Sequence, residues 1–237
     1  MNRQTLAALG LSVTLLTAVA AAAENDRWTL DSTLYLFAAG MSGDVTVKGI
    51  PADLDVGFGD VMSNLEFGAM GGLRAARGDW AFNLDVIYTG LGASKGPVSG
   101  DLDQWVVEPT LSYRVCQNFE PFAGVRYNNL QAEIRGPFGT ARSGTQAWFD
   151  PIVGANFTFP LGKKLSLKAR ADVGGFGVGS DLTWQAFPCL NWRLSERCSL
   201  QAGYRWVYND YTDGSGANRF AYDVLTQGPQ LGFTIRL

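Results

Sequence analysis

Apolar and polar residues alternate along most of the chain after residue 27. The clearest stretch runs from residue 165 to 173, where the odd positions are apolar and the even ones are Ser166, Lys168, Arg170 and Asp172. A period of two places the two sets on opposite faces of a β-strand. In a soluble sandwich the apolar face would meet a protein core, whereas in a transmembrane barrel it would meet lipid. Features elsewhere in the sequence decide between a soluble sandwich and a transmembrane barrel.

The same alternation predicts ten strands. They cover residues 28–39, 67–75, 80–91, 103–115, 121–135, 147–159, 165–173, 182–193, 199–208 and 227–237. Within 121–135 the phase changes, since Leu130 and Ile134 fall out of step with Val125 and Tyr127. A β-bulge would account for that change. Eight or twelve strands remain alternatives, depending on how residues 40–65 and 174–193 are counted.

Short and long connections follow one another in strict alternation. The short ones are 77–79, 116–120, 161–164 and 194–198, and the long ones are 40–65, 92–102, 136–146, 174–181 and 211–219. Outer-membrane barrels have short periplasmic turns and longer extracellular loops, whereas a sandwich has no reason to alternate. We therefore predict an all-β fold, a transmembrane antiparallel up-and-down β-barrel, with both termini at the short-turn end.

Aromatic residues and prolines support this arrangement. Aromatic residues are concentrated near the strand ends in two sets, as expected of two interfacial girdles. One set lies near short turns and the other near long loops: Trp80, Tyr113, Phe159 and Trp192, and Tyr88, Trp105, Trp184 and Trp206. Four prolines lie in strands that run away from long loops: Pro109, Pro151, Pro188 and Pro229. Because proline cannot donate to a ladder, we expect each to mark where the regular ladder begins.

The N-terminus predicts export. Residues 1–23 combine Arg3, an uncharged apolar run from 6 to 19, and the small residues Ala21 and Ala23, which is typical of a cleaved signal peptide. Residues 24–237 then form one barrel domain in the outer membrane. No later uncharged run reaches the ~18 residues that a transmembrane helix needs.

Two features of this domain have open interpretations. Residues 40–65 form its longest loop, with a hairpin turning at 49–52, and this loop either caps the barrel or folds into it as a plug. The chain has three cysteines, so at most one intramolecular bridge can form. Either Cys116 pairs with Cys198, because both lie next to turns, or Cys116, Cys189 and Cys198 are all free thiols.

Composition excludes several kinds of chemistry. The chain has no His, so it has no Ser-His-Asp triad, no Cys-His dyad and no His-ligated metal. A net charge of -3 and a pI near 5.0 argue against nucleic-acid binding. The acidic loop residues Asp44, Asp53, Asp55 and Asp60 match no EF-hand spacing, so we interpret them as solvated charge. We expect no catalytic residue, no metal and no cofactor.

The glycine-rich run at residues 174–180, GGFGVGS, has some likeness to a phosphate-binding loop. It lacks the Lys-Ser/Thr ending of such a loop, and it lies between strands instead of before a helix. We therefore predict a flexible extracellular turn at this position.

The charged residues on the polar faces of the strands are the candidate site. We predict that they point into the lumen: Glu66, Arg74, Asp85, Glu108, Arg114, Arg126, Asp150, Lys168, Arg170, Asp172, Arg205 and Arg236. Buried charge is costly unless it is paired, so these residues either form a salt-bridge network that fills the barrel or line a narrow aqueous pore. The excess of Arg and Lys in this set would make such a pore prefer anions.

Five stretches carry a resemblance to a known family. They are LYLFAAGMSGDVTVKGIPADLDVGFGDVMSNLEFGAMGGL, DPIVGANFTFPL, ADVGGFGVGSDLTWQAF, GYRWVYNDY and GPQLGFTIRL. In them the chain resembles a family of small, mostly uncharacterised outer-membrane β-barrel proteins of Gram-negative bacteria, of the OmpA type. The resemblance implies an outer-membrane location and no established enzyme activity. The chain departs from the pattern by ending in Leu237, where such barrels usually end in an aromatic residue, and by having Cys189 and Cys198 at ordinary strand positions.

Three functions stay open on this basis. The first is a non-enzymatic barrel with a structural or surface-interaction role, and the second is a narrow channel for ions or small solutes. The third is a lipid- or peptide-modifying enzyme in which paired acids such as Asp53 and Asp55 activate water. The expected partners are outer-membrane lipid (lipopolysaccharide or phospholipid), the outer-membrane assembly machinery and an unidentified extracellular ligand.

Overall fold

The computed structural model describes residues 27–57, 59, 65–95, 98–135 and 141–237 of the chain. The predicted signal peptide and Asp60 lie outside these residues. The strands are β1 Thr29–Phe37, β2 Gly40–Val47, β3 Ile50–Val56, β4 Leu65–Arg77, β5 Trp80–Lys95, β6 Val98–Tyr113, β7 Phe119–Arg135, β8 Ala141–Pro160, β9 Leu165–Gly175, β10 Leu182–Arg193, β11 Cys198–Asp213 and β12 Phe220–Arg236. A short 3₁₀ helix, Gly216–Asn218, precedes β12. No helix among the described residues is long and apolar enough to cross a membrane.

The sheet closes on itself. Antiparallel neighbours run from β4 through β12 in chain order, and β1 pairs with both β4 and β12. β2 continues β1, since both pair with β12 in one register, Phe37 facing Gln230 and Gly40 facing Gln227. Counted as one strand, β1 and β2 complete a barrel of ten strands, with β3 as one extra strand. The prediction of a ten-stranded antiparallel barrel is therefore confirmed.

β2 and β3 extend the wall beyond β1 at the long-loop end. Their connecting turn is Lys48–Gly49, with φ values of 51° and 76°. Two successive residues with positive φ make the type I′ geometry that joins two-residue hairpins. The turn thus lies at Lys48–Gly49 and not at the predicted 49–52, because Ile50 and Pro51 already belong to β3.

The four prolines interrupt ladders. The β6–β7 ladder skips residues 108–109, the β10–β11 ladder skips 187–188, and the β8–β9 ladder starts directly after Pro151. The break between β1 and β2 lies opposite Pro229. In every case the missing N–H of proline faces the next strand around the barrel. The prediction that each proline marks where a ladder begins holds only for Pro151, because β6, β10 and β12 are already paired with both neighbours before their prolines.

Glycines stand opposite three of these prolines. A Cβ on the glycine would overlap the proline carbonyl oxygen in each pair: Gly124 with Pro109, Gly174 with Pro151, and Gly203 with Pro188. The two strands therefore approach closely where the ladder is interrupted. A Pro-Gly contact repeats around the barrel on alternate strand pairs.

Several strands are longer than their alternation predicts. β5 runs to Lys95 and β6 begins at Val98, with these two residues paired, so most of the predicted loop 92–102 is a hairpin. β11 likewise continues to Asp213. Backbone pairing requires no apolar face, so a strand whose two faces both meet water continues without the hydrophobic period.

The predicted bulge within residues 121–135 is absent from the described β7 ladders. β7 pairs with β8 in one unbroken register from Phe119–Phe157 to Arg135–Ala141. Leu130 does not change the phase of the strand, because it lies on the inward face with Arg126 and Asn128 and is buried there. The apparent phase change comes from an apolar residue inside the barrel.

The outer surface carries an apolar belt. On β11 the outward residues are apolar from Leu200 to Tyr208, a run of nine residues, close to the ~9–11 that a tilted strand needs to cross a bilayer. Outward aromatic pairs lie near both ends of the barrel. Trp80 and Tyr113 have ring centroids 4.9 Å apart at the short-turn end, and Tyr88 and Trp105 are 4.6 Å apart at the other. One outward aromatic pair therefore lies at the level of each predicted girdle.

We expect Gly124→Ala to destabilise the barrel by about 1–3 kcal/mol, because the new methyl group overlaps the Pro109 carbonyl and forces the strands apart. Urea titration of the folded and unfolded bands in heat-modifiability electrophoresis measures the change. Gly162→Ala is the matched control, since a Cβ at this turn position meets nothing within 4 Å. Equal midpoints for the two variants would contradict the close approach.

Candidate functional site

The guanidinium of Arg126 occupies the middle of the barrel. Its side chain is 0% exposed. Nε donates to Glu108 Oε1 at 2.6 Å, Nη2 to Asp172 Oδ1 at 2.8 Å and Nη1 to Thr183 Oγ1 at 2.7 Å. These partners come from β6, β9 and β10, so one side chain on β7 links four strands across the lumen. Each nitrogen of the guanidinium has an acceptor, which is the condition for burying this charge.

Arg170 closes the cluster into a ring. Its Nη2 donates to Glu108 Oε2 at 2.7 Å, and its Nε donates to Asp172 Oδ2 at 3.1 Å. Two guanidinium groups and two carboxylates therefore alternate in charge. The Arg170 guanidinium also lies 4.8 Å from the ring centroid of Phe122, in cation–π geometry. The ring has no net charge.

Arg205 forms a second centre next to this ring. Its Nη2 donates to Asp85 Oδ2 at 3.1 Å and to Gln185 Oε1 at 2.7 Å. Its Nη1 donates to the hydroxyl of Tyr35 at 3.2 Å, and that hydroxyl donates to Asp85 Oδ1 at 2.7 Å. Arg205 also lies 3.9 Å from Glu108, so the two centres form one continuous network across the barrel.

Two further ion pairs lie nearer the short turns. Arg74 makes a two-pronged contact with Glu120, with both N–O distances at 2.8 Å. Arg236 binds Asp31 at the rim, where more than half of the arginine side chain is exposed. The charges thus change from fully buried at the centre to solvent-facing at the end of the barrel.

On the long-loop side of the network, Asp150 anchors the β9–β10 connection. Its Oδ1 accepts from the backbone N–H of Ser180 at 2.6 Å, and its Oδ2 accepts from the Ser180 hydroxyl at 2.9 Å and from Trp148 Nε1 at 3.0 Å. A Cβ at Gly179 would overlap the carbonyl of Phe149, so glycine permits this approach. The connection predicted to be a flexible extracellular turn is therefore bonded to Asp150 on the lumen wall.

An apolar layer covers the network at the long-loop end. Its buried members come from β7, β8, β11 and β12: Leu130, Trp148, Tyr211, Tyr222 and Val224. The rings of Trp148 and Tyr211 stack with centroids 4.2 Å apart and planes 10° apart. Met41 and Val45 of β2 pack against this layer.

Towards the short turns the lumen opens into a cavity of about 230 Å³. The network forms its inner end, through Glu108, Arg170 and Arg205, and amide side chains of Gln185, Gln201 and Gln230 line its wall. This cavity therefore lies on the side of the network opposite the apolar layer.

The twelve predicted lumen residues lie in different surroundings. Eight of them make the internal contacts described above: Arg74, Asp85, Glu108, Arg126, Asp150, Arg170, Asp172 and Arg205. Lys168 shares the inward face of β9 with Arg170, and Arg236 lies at the rim. Arg114 lies exposed at the β6–β7 turn, because β6 ends at Tyr113. The side chain of Glu66 lies outside the described part of the structure.

Other functional residues escaped the sequence analysis. Thr183 and Gln185 lie on the polar face of their strand but carry no charge, so a search for charges passes over them. Tyr35 and Trp148 are aromatic yet point inward. Ser180 lies in a connection, where alternation gives no direction. The alternation of inward and outward residues along β10 could have identified Thr183 and Gln185. The sequence offers no comparable signal for the other residues.

An acidic row crosses the outer face beyond the apolar belt. Asp210, Asp223, Asp44 and Asp53 are direct cross-strand neighbours on β11, β12, β2 and β3. Burial, then the carboxylates of Asp223 and Asp181, raises the pKa of Asp210 above its ordinary value. Like charges directly opposite each other weaken strand pairing.

The remaining candidate chemistry is limited. Cys116, Cys189 and Cys198 are free thiols, so the possible Cys116–Cys198 bridge does not form. Within the described ranges, no three His, Cys, Asp or Glu side chains come together in a way that would hold a metal ion.

Comparison with known proteins gives distant matches in structure alone. No protein-family model and no curated protein matches the sequence. Ail, the attachment invasion locus protein of Yersinia pestis, solved with the heparin analogue sucrose octasulfate, is 14% identical over 89% of this chain and 98% of its own, with a TM-score of 0.43. Neisserial surface protein A is 11% identical over 89% and 97%, with a TM-score of 0.38. A major outer membrane protein from Thermus thermophilus is 14% identical over 88% and 99%, with a TM-score of 0.40. Similarities this distant carry no functional property to this chain.

We expect Arg126→Met to destabilise the barrel by about 3–5 kcal/mol, because it leaves Glu108 and Asp172 buried without their central cation. Arg236→Met is the matched control at an exposed pair, with an expected loss of about 0–1 kcal/mol. Urea unfolding in detergent micelles measures both. Similar losses for the two variants would show that the centre of the barrel is as wet as its rim.

The acidic row predicts a pH dependence. The raised pKa of Asp210 means that its contribution to stability is fully present below the ordinary Asp pKa of about 3.9 and is lost as pH rises through the raised value. Asp223→Asn should therefore stabilise the barrel at neutral pH by about 0.2–1 kcal/mol per like-charge contact removed. It should also flatten the pH profile of thermal unfolding.

Asp79→Asn in an exposed short turn is the control for this prediction. If it changes the pH profile as much as Asp223→Asn does, the effect reflects net charge and not the acidic row.

Proposed function

We propose that the protein is a non-catalytic outer-membrane β-barrel with a closed lumen and a structural or surface-interaction role. The observation that supports this proposal is that two separate sets of inward side chains meet across the lumen. A charge-balanced network centred on Arg126 fills the middle, and the layer stacked on Trp148 and Tyr211 covers it. A solute crossing the barrel would have to break both.

The proposed location rests on the outer surface. Large apolar side chains point outward around the barrel, among them Leu34 at 71% and Leu231 at 62% exposure. A surface this apolar is stable against lipid and unstable against water. We propose that residues 1–23 direct export and are removed, that lipopolysaccharide and phospholipid surround the belt, and that the assembly machinery inserts the chain. We also propose, on the resemblance described above, that the chain is related to the small outer-membrane β-barrel proteins of the OmpA type.

The surface-interaction role is assigned to the long-loop end. There β2 and β3 extend the wall, and the acidic row presents carboxylates outward above the belt. Asp44, Asp53 and Asp223 are exposed. This rim is the part of the barrel available to an extracellular partner.

A narrow channel is the second candidate. The cavity on the short-turn side favours it, since it already provides a polar half-passage of about 230 Å³. For ions to pass, the ion pairs at the centre and the stacked rings of the aromatic layer would have to separate at the same time. The third candidate, an enzyme activated by Asp53 and Asp55, has no supporting observation among the described residues.

Single-channel recording in a planar bilayer tests the proposal. We expect the heat-modifiable, folded barrel to be electrically silent. The control variant combines Arg126→Ser, Glu108→Ser and Trp148→Ala, which removes the central ion pair and the stacked ring and should produce openings. Steady openings of the unmodified barrel would overturn the closed-lumen proposal and favour the channel.

A further inference from the structure

The inward charges between the central network and the short turns do not balance. Among the described residues, five arginines pair with five carboxylates: Arg74 with Glu120, Arg126 and Arg170 with Glu108 and Asp172, Arg205 with Asp85, and Arg236 with Asp31. Lys168 is inward on β9 and makes no ion pair within this set. Lys168 is therefore an inward-facing cation without a carboxylate partner among these pairs.

This lysine is a near neighbour, along β9, of a residue that lines the cavity. Arg170, which lines the cavity, is two residues further along the same strand, and Lys168 is nearer the short turn that precedes β9. A flexible ammonium group at this position can reach an anion that enters from the short-turn end. The arginines deeper in the cavity are committed to carboxylates, so Lys168 is the cation available to a ligand.

A second, independent feature of the cavity is an unsatisfied acceptor. Gln230 lines the cavity and is 3% exposed, and its Oε1 is buried without a hydrogen-bond partner in the described structure. Such a group costs free energy unless a donor reaches it. Because Gln230 lines the cavity, a ligand there is the natural source of such a donor.

Lys168 and Gln230 share one row across the wall. Lys168 is paired with Cys189, Cys189 with Gly203, and Gly203 with Gln230. The two residues between them are Cys189, which has a small side chain, and Gly203, which has none. No large side chain therefore separates Lys168 from Gln230 along this row.

We propose that this cavity binds a small hydroxycarboxylate that enters from the short-turn end. Its carboxylate pairs with the Lys168 ammonium, and its hydroxyl donates to Gln230 Oε1, with the Gln201 amide alongside. The cavity of about 230 Å³ corresponds to roughly seven or eight water molecules at ~30 Å³ each, so it suits a molecule of a few carbons.

Both chemical groups of the ligand are required by the site. A neutral polyol would satisfy Gln230 and leave the cation unpaired, whereas a simple carboxylate would pair with Lys168 and leave the amide oxygen without a donor. A hydroxycarboxylate satisfies both at once. The inference does not depend on the proposed function, because a silent barrel and a channel would contain the same cavity.

Titration of the folded full barrel in micelles with glycerate, followed by NMR of side-chain amides, tests the site. We expect saturable shifts of the Gln230 amide with glycerate, and weaker binding of both glycerol and acetate. Lys168→Met should weaken glycerate binding by roughly 10- to 100-fold, as expected for a lost charge-assisted hydrogen bond. Lys164→Met, at an exposed turn, should leave binding unchanged.

Heat-modifiability of each variant shows that it is folded, and Lys168→Arg should retain binding because it keeps the charge. Gln230→Leu should bind acetate and glycerate equally, since it removes the acceptor for the hydroxyl. The absence of saturable glycerate binding to the unmodified barrel would overturn the proposal. Equal affinity of the unmodified barrel and the Lys168→Met variant would overturn it as well.

Discussion

The structure depends on the burial of one guanidinium among opposite charges. The side chain of Arg126 has no exposed surface, and neither does that of Asp172, whose carboxylate it contacts. Moving such charges out of water costs several kcal/mol each, and only complete hydrogen bonding recovers that cost. The remaining acceptors, Glu108 and Thr183, come from two other strands. The network can therefore form only when these strands are in register, so it favours the native pairing over slipped alternatives.

The backbone around this network is adapted to it. Glu108 and Asp150 each come directly before a proline, and the ladders on those strands are interrupted there. The proline N–H is absent, so the gap leaves fewer unsatisfied donors than another residue would. The glycines on the facing strands let the backbones approach where hydrogen bonding stops. An up-and-down barrel thus tolerates repeated breaks in its wall because its interior is held together by side chains.

The sequence predicted the fold well because a barrel in lipid has a two-sided pattern. Apolar residues face outward between the girdles, so the period of two survives on nearly every strand, and alternating connection lengths fix the topology. The pattern failed where this constraint ends. The predicted loop 92–102 is largely strand, because the β5–β6 backbone pairing continues to Lys95 and Val98.

The candidate site was predictable only in part, and for a related reason. Charge and parity together identified Arg126, Glu108 and Asp172, because an ionised group on a membrane strand has to face the lumen. Leu130 and Trp148 face the lumen although they are apolar, and inward apolar groups at the long-loop end are indistinguishable in sequence from lipid-facing ones. Ser180 depends on a turn that brings a connection back to Asp150, and no local pattern encodes such a long-range contact.

The central claim is that the middle of the barrel is a dry, ion-paired plug. Exchange of the guanidinium Nε–H protons with water, measured by NMR on the folded protein, tests it most directly. The account predicts that the Nε–H of Arg126, bonded to Glu108, exchanges as slowly as the backbone amides of the central strands, and that the Nε–H of Arg236 at the rim exchanges fast. Exchange of Arg126 as fast as that of Arg236 would mean that water fills the lumen, and would contradict the account.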